Sequence, residues 1–232
     1  MHRAAPPIGM AFFDVDETLL TFKSMFRFLA HHFRARGLPP DAYQRAAADL
    51  RGRAAAGVPR EETNRDYYRL YAGRTVAEVT EHAREWFAAE LAGGGALHEP
   101  AVEALHAHRR AGATTVLVSG SFPPCLAPVR ELLGADLLVC SEPEHRDGRY
   151  TGHLERPMIG AEKGRAAREL MARHAIAPER AAAYGDHATD LSLLQAVGHP
   201  VAVGDDPELG AYALAAGGSL LPGIPSVPAV PG

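Results

Sequence analysis

Near its beginning the chain runs apolar through Gly9-Met-Ala-Phe-Phe, then places carboxylates at Asp14 and Asp16 and a hydroxyl at Thr18. An apolar run of this length followed by charge suits a buried strand that stops at the edge of a sheet. Residues i and i+2 of an extended segment point the same way, so the two acids would face one spot beyond the strand end. Two like charges held that close are costly unless a cation or a shared proton relieves them. Taken alone, the segment fits either an acidic turn or a site, and the rest of the chain has to decide.

The segment from Ser24 to about Leu97 reads as helix throughout. Met25, Phe28, Leu29 and Phe33 recur at helical spacing. Pro39-Pro40, Gly57-Val-Pro59 and Gly73 divide the block into four helices. Thr75-Val-Ala-Glu78 has the spacing of a capping box opening the fourth, and Gly93-Gly-Gly95 closes the block. Four helices without a strand look like an inserted helical subdomain, and its aromatics are most simply its own core. From His98 the pattern alternates. A helix to Gly112 precedes the strand ATTVLVSGS, and a helix from Pro123 precedes DLLVCSE. Asp147-Gly148 marks a hairpin or irregular loop within 143–154. A helix opening near Lys163 leads to AAAYGD, a helix from Asp190 to Val197 leads to HPVAVG, and PELGAYALAAGG forms the last helix. Alternating strands and helices call for an α/β fold with a Rossmann-like, doubly wound parallel sheet. The expected organisation is an α/β core from 1–23 and 98–221, a helical cap from 24–97, and a disordered tail from 222–232.

Composition narrows the function classes. A formal charge of -4 gives no electrostatic case for nucleic acid or an anionic membrane surface. Cys125 and Cys140 are the two cysteines, too few for a disulfide framework. No apolar run approaches the roughly 20 residues needed to cross a bilayer, and prolines interrupt the first residues where a signal peptide would need an apolar stretch. A cytoplasmic chain, monomer or homodimer, acting on a small molecule is expected. The histidines show no HExxH or Cys/His spacing, and most should be solvated.

In doubly wound sheets the ligand crevice lies outside the carboxyl ends of the strands. Three strands here end in polar groups: Asp14 with Asp16, Ser119 with Gly120, and Asp186 with Asp190. Lys163, at the start of a helix, can reach the same edge. Several carboxylates without a thiolate or histidine suit a hard cation, and Mg²⁺ prefers oxygen ligands. An aspartate can attack phosphorus and form an aspartyl-phosphate. Mg²⁺ and Lys163 would neutralise an anion attacking an anion, while the Ser119 hydroxyl and nearby N–H groups would hold phosphoryl oxygens. A second acid can protonate the leaving alkoxide and then activate water. Asp14 and Asp16 fit those two roles.

The set DVDET, VLVSGS, Lys163 and YGDHATD resembles the four motifs of the haloacid dehalogenase superfamily. In order and spacing it is most similar to the phosphoserine-phosphatase-like branch, subfamily IB, over about residues 9–217. The resemblance implies a Mg²⁺-dependent phosphomonoesterase. Asp14 would be the nucleophile and a metal ligand, and Asp16 the general acid/base with its backbone carbonyl on the metal. Thr18, Ser119, Gly120 and Lys163 would bind the phosphoryl group. Asp186 would be the remaining protein ligand, with Asp190 holding Lys163 or a metal-bound water. The helical block matches the cap that members of the family insert between their first two motifs, which reads the leaving group.

One departure bears on substrate. Phosphoserine phosphatases of the family carry a glutamate about nine residues after the nucleophile, which holds the substrate ammonium; Lys23 stands there instead. Lys23 facing the pocket would disfavour phosphoserine, and Lys23 facing solvent would say nothing. His187 and Thr189 also replace the residues usual in the last motif, with His187 expected as a bystander. Dehalogenation is disfavoured by Asp16 and Asp186, and phosphonate cleavage by Asp16. Phosphoryl transfer to an acceptor other than water, or a non-catalytic phosphate-binding module, are the alternatives to hydrolysis.

Overall fold

The computed structural model of the protein describes residues 7–224. In chain order its elements are β1 (Met10–Phe13), α1 (Ser24–Ala35), α2 (Pro40–Ala55), α3 (Arg60–Arg69), α4 (Val76–Ala92), α5 (Glu99–Arg110), β2 (Thr114–Ser119), α6 (Pro123–Leu133), β3 (Leu137–Cys140), β4 (His145–Arg146), β5 (Arg149–Tyr150), α7 (Ala161–Arg173), β6 (Ala181–Gly185), α8 (Leu191–Leu194), β7 (His199–Val203), α9 (Pro207–Ala215) and β8 (Ser219–Leu221). Six strands form one parallel sheet in the order β3-β2-β1-β6-β7-β8. Helices cover both faces, so the central strands read as continuous apolar runs. All four residues of β1 are buried. Met10 and Phe12 enter one core with Val116, Val118 and Ala183, while Ala11 and Phe13 enter the other with Leu117 and Tyr184.

The chain leaves β1 for β2 on one side, and β6 returns on the other. The register is level: Phe13 lies opposite Leu117 of β2 and Tyr184 of β6. The residues that follow these strands therefore emerge at one edge, at the switch point where ligands bind in such sheets. A third parallel strand on that flank, β8, had no signal in its three residues after Gly217-Gly218.

Helices α1–α4 form the insertion expected between β1 and α5. Thr75 caps α4 by accepting a hydrogen bond from Glu78 N at 3.1 Å. The aromatics of this block are not a core of its own. Phe122, at the head of α6, has ring centroids of Tyr71, Tyr68 and Phe28 at 5.2, 5.3 and 5.9 Å. Helical spacing reveals which face is apolar but not what that face packs on, and here it packs on the α/β body. The β4–β5 hairpin fastens the same junction, since Tyr150 N donates to Arg74 O and Gly73 N to Tyr150 O.

Two other expectations change. The helix foreseen over 190–197 shrinks to α8: residues 188–190 form a 3-10 turn capped by His187, and the helix ends at Leu194. Most of the described histidines reach the surface as expected, but His32 and His98 are buried, and His32 Nδ1 lies 2.9 Å from His82 Nδ1. Residues 222–224 follow β8 without regular structure, and the remainder of the tail expected at 222–232 lies outside the described residues.

Candidate active site

The polar edge of the sheet begins where β1 ends. Asp14 N donates to Tyr184 O at 2.9 Å, which holds Asp14 against the end of β6. Three residues later the backbone turns sharply at Glu17, whose φ of 63° is a left-handed conformation rare outside glycine. Leu19 N and Leu20 N both then donate to Val15 O. The turn brings the buried Thr18 hydroxyl to Asp186, donating to Oδ1 at 2.6 Å. The two acids differ in their partners. Asp14 faces the sheet edge, whereas Asp16 Oδ1 accepts from Ser24 N at 3.0 Å, at the first residue of α1.

At the end of β2, Ser119 Oγ accepts from Ser121 N at 3.0 Å. Gly120 cannot easily be anything else, because a Cβ there would lie 2.9 Å from Ile159 Cγ1. Its carbonyl accepts from Tyr68 OH at 2.8 Å and from Asn64 Nδ2 at 3.1 Å, both on α3 of the cap. Lys163, in the first turn of α7, is buried and donates to Asp14 Oδ1 at 2.5 Å and Asp190 Oδ1 at 2.6 Å. Asp186 follows β6, and Asp190 is held by its own turn, with Oδ2 accepting from His187 N at 3.4 Å.

One carboxylate oxygen from each of Asp14, Asp186 and Asp190 lies within 4.8 Å of the others. Burial alone would lower the Lys163 pKa, but Asp14 and Asp190 outweigh it and hold the ammonium charged. One ammonium does not satisfy three carboxylates. Burial pushes the Asp14 carboxyl up against the pull of Lys163, and Asp190 and Asp186 push it further. Burial likewise pushes Asp186 up to about 6, against the Thr18 hydrogen bond. An all-oxygen set with unbalanced negative charge fits a hard divalent cation, which would reverse that push. Asp16 stands apart from the triad. Burial raises it to about 6 against the hydrogen bonds from Ser24, leaving a carboxyl that can carry or release a proton near neutral pH.

Asp14, Asp16, Ser119, Gly120, Lys163, Asp186 and Asp190 thus meet around one cavity of about 480 Å³ between sheet edge and cap. Thr18 is buried beneath it, reaching Asp186. Lys23 also lines the cavity, but its Nζ pairs with Glu17 Oε2 at 3.1 Å and its side chain is half exposed. His187, expected as a bystander, has its Nδ1 accepting from Thr189 N at 3.1 Å, and Arg60 of the cap places Nη1 3.2 Å from its Nε2. Ser24, Asn64 and Tyr68 were missed because a cap residue that reaches across to the core looks, in sequence, like any other helical position.

A family model described as haloacid dehalogenase-like hydrolase matches residues 11–195. Over 219 residues the chain is 32% identical to the "inhibition of morphological differentiation protein" of Streptomyces azureus, covering 93% of this chain and 78% of that one. Over 218 residues it is 29% identical to a phosphoserine phosphatase of Mycobacterium tuberculosis, covering 88% and 68%. A solved structure from Bordetella pertussis, of unknown function, superposes with a TM-score of 0.82 at 27% identity, over 93% of this chain and 99% of that one.

Proposed function

The chain belongs to the haloacid dehalogenase-like hydrolase family, and on that premise we propose that it is a Mg²⁺-dependent phosphatase of small phosphomonoesters working through an aspartyl-phosphate at Asp14. The observation that carries this reading is the buried Lys163 bridging Asp14 and Asp190, with Asp186 beside them and Asp16 standing apart. A nucleophile, a fixed positive charge and a separately tuned acid are the parts that phosphoryl transfer requires.

Asp14, Asp186 and the backbone of Asp16 would hold Mg²⁺, which when bound neutralises charge on the phosphoryl oxygens and on the attacking carboxylate. Lys163 and the Ser119–Gly120 turn would bind the phosphoryl oxygens opposite. An oxygen of Asp14 attacks phosphorus as the bond to the leaving oxygen breaks, and the proton on Asp16 passes to that oxygen. Asp16, now ionised, takes a proton from water; the water oxygen attacks phosphorus, and the phosphorus bond to Asp14 breaks. Phosphate leaves and both acids return to their starting states.

Phosphoserine is disfavoured as the main substrate. Lys23 occupies the place of an ammonium-binding acid, and the nearby Glu17 carboxylate is already paired with it. The test is direct: with Mg²⁺ the protein releases phosphate from an aryl phosphate, and Asp14→Asn abolishes turnover. Activity surviving in Asp14→Asn would overturn the assignment of the nucleophile.

A further inference from the structure

The cap side of the cavity is unlike its floor. Met25 and Phe26 of α1, Leu50 and Ala54 of α2, and Val58 beyond it form an apolar wall. Two guanidinium groups, Arg51 and Arg60, border that wall. The Arg51 guanidinium lies 5.4 Å from the centroid of the Phe26 ring, and Arg60 reaches the His187 ring at the cavity rim. Among the described residues neither has a carboxylate within ion-pair distance, whereas Arg27, Arg53, Arg65, Arg69 and Arg165 all do. A cavity of about 480 Å³ also falls in the range that encloses a whole small-molecule ligand rather than a phosphoryl group alone.

Resting on the phosphatase reading above, we propose that the substrate is a phosphomonoester whose leaving alcohol has an extended apolar body ending in an anionic group. The phosphoryl group meets Lys163 and the Ser119–Gly120 turn, the body lies along Leu50, Ala54 and Val58, and the distal anion meets Arg51 and Arg60. Buried apolar surface gives affinity roughly in proportion to the area removed from water. Guanidinium groups pair with carboxylate or phosphate through two parallel hydrogen bonds. Among the described residues lining the cavity, the one carboxylate besides Asp14, Asp16, Asp186 and Asp190 is Glu17, which is paired with Lys23 rather than free for an ammonium-bearing leaving group.

The experiment compares kcat/KM for phosphate monoesters of straight-chain alcohols of increasing length, each ending in a carboxylate, a second phosphate or an ammonium. An aryl phosphate with Mg²⁺ is run alongside as a measure of phosphatase activity itself. The expected result is a rise of up to about fourfold per added methylene until the wall is covered, with anionic ends preferred to ammonium by about tenfold. Leu50→Asp flattens the chain-length series, and Arg51→Ala with Arg60→Ala narrows the anion-to-ammonium ratio. Calorimetric binding of the same esters to Asp14→Asn reads those ratios without turnover. Hydrolysis of the aryl phosphate with a flat series, or with ammonium preferred, overturns this inference and leaves the phosphatase reading intact. No aryl hydrolysis overturns the phosphatase reading, while the binding series still decides whether the cavity selects an apolar anion.

Discussion

Asp16 Oδ1 accepts a hydrogen bond from Ser24 N at 3.0 Å, so its carboxylate is held by the first turn of the first cap helix. Ser24 Oγ is in turn 3.2 Å from Ser121 Oγ, beside the turn that ends β2. Asp16, the proposed acid–base, is therefore fixed by the cap, and Asp14, the proposed nucleophile, by the sheet. Asp16→Asn should lower kcat for alkyl phosphates by about 10²–10⁴, the usual contribution of a general acid–base. With an aryl phosphate, whose leaving group needs no proton, the phosphoryl-enzyme should still form and then persist. Burst kinetics checks this; equal losses for both leaving groups would remove Asp16 from proton transfer.

Tyr68 and Asn64 both donate to the carbonyl of Gly120. That carbonyl lies in the turn proposed to hold phosphoryl oxygens, so cap helix α3 sets the orientation of the turn. Tyr68→Phe keeps the ring against Phe122 and removes one donor. Its stability cost should be about 1 kcal/mol by urea unfolding, with a fall in kcat/KM of several-fold. Asn64→Ala on top of Tyr68→Phe should cost more than the two single changes together, because Gly120 O then loses both partners.

Much of this arrangement was legible in the chain itself, for physical reasons. Asp14, Ser119 and Asp186 each end a strand, and parallel strands in register must deliver their ends to one edge. The contributions of Ser24, Asn64, Tyr68 and Arg60 were not legible. Each sits on a helix whose periodicity shows an apolar face but not the element it meets. Lys23 is the instructive middle case: its place in the sequence pointed to the cavity, but its pairing with Glu17, where the backbone is left-handed at φ 63°, was not legible.

Removing the cation should stop turnover, and returning Mg²⁺ should restore it. Asp186→Asn should raise the Mg²⁺ concentration for half-maximal rate by at least about tenfold, because it removes the charge and leaves a single carbonyl oxygen to serve both the cation and Thr18. Thr18→Val, which leaves all three carboxylates, should shift that concentration less. A Mg²⁺ titration of the rate in both variants distinguishes a metal ligand from a residue that only packs.

Gly164 follows Lys163 and packs against α8, where a Cβ would fall 2.3 Å from Ser192 O. Gly164→Ala therefore has to part α7 from α8, and overpacking of this kind costs about 1–3 kcal/mol. Lys163 rides on the same turn, so kcat should fall along with the midpoint of urea unfolding. Full activity with unchanged stability would mean that the two helices separate freely and that Lys163 is placed by its ion pairs alone.

His32 carries a pH dependence of stability that is separate from catalysis. It is fully buried between α1 and α4, facing His82 and Glu78 of α4, with His31, Arg36 and Arg74 nearby and Phe28 and Tyr71 against its ring. Burial, then the charges of His82 and Arg36, push its pKa down to about 3. An unfolded histidine titrates near 6.5. Between those values the unfolded chain binds a proton that the folded chain refuses, so folding stability falls as pH drops from about 6.5 towards 3. The slope from one such group reaches about 1.4 kcal/mol per pH unit. His32→Gln keeps a polar side chain of similar reach and does not titrate. Urea unfolding between about pH 6 and pH 4 should therefore fall more steeply for the natural chain than for His32→Gln. Parallel slopes would mean that His32 takes up its proton in the folded state, with the Glu78 carboxylate placed to pair with the imidazolium.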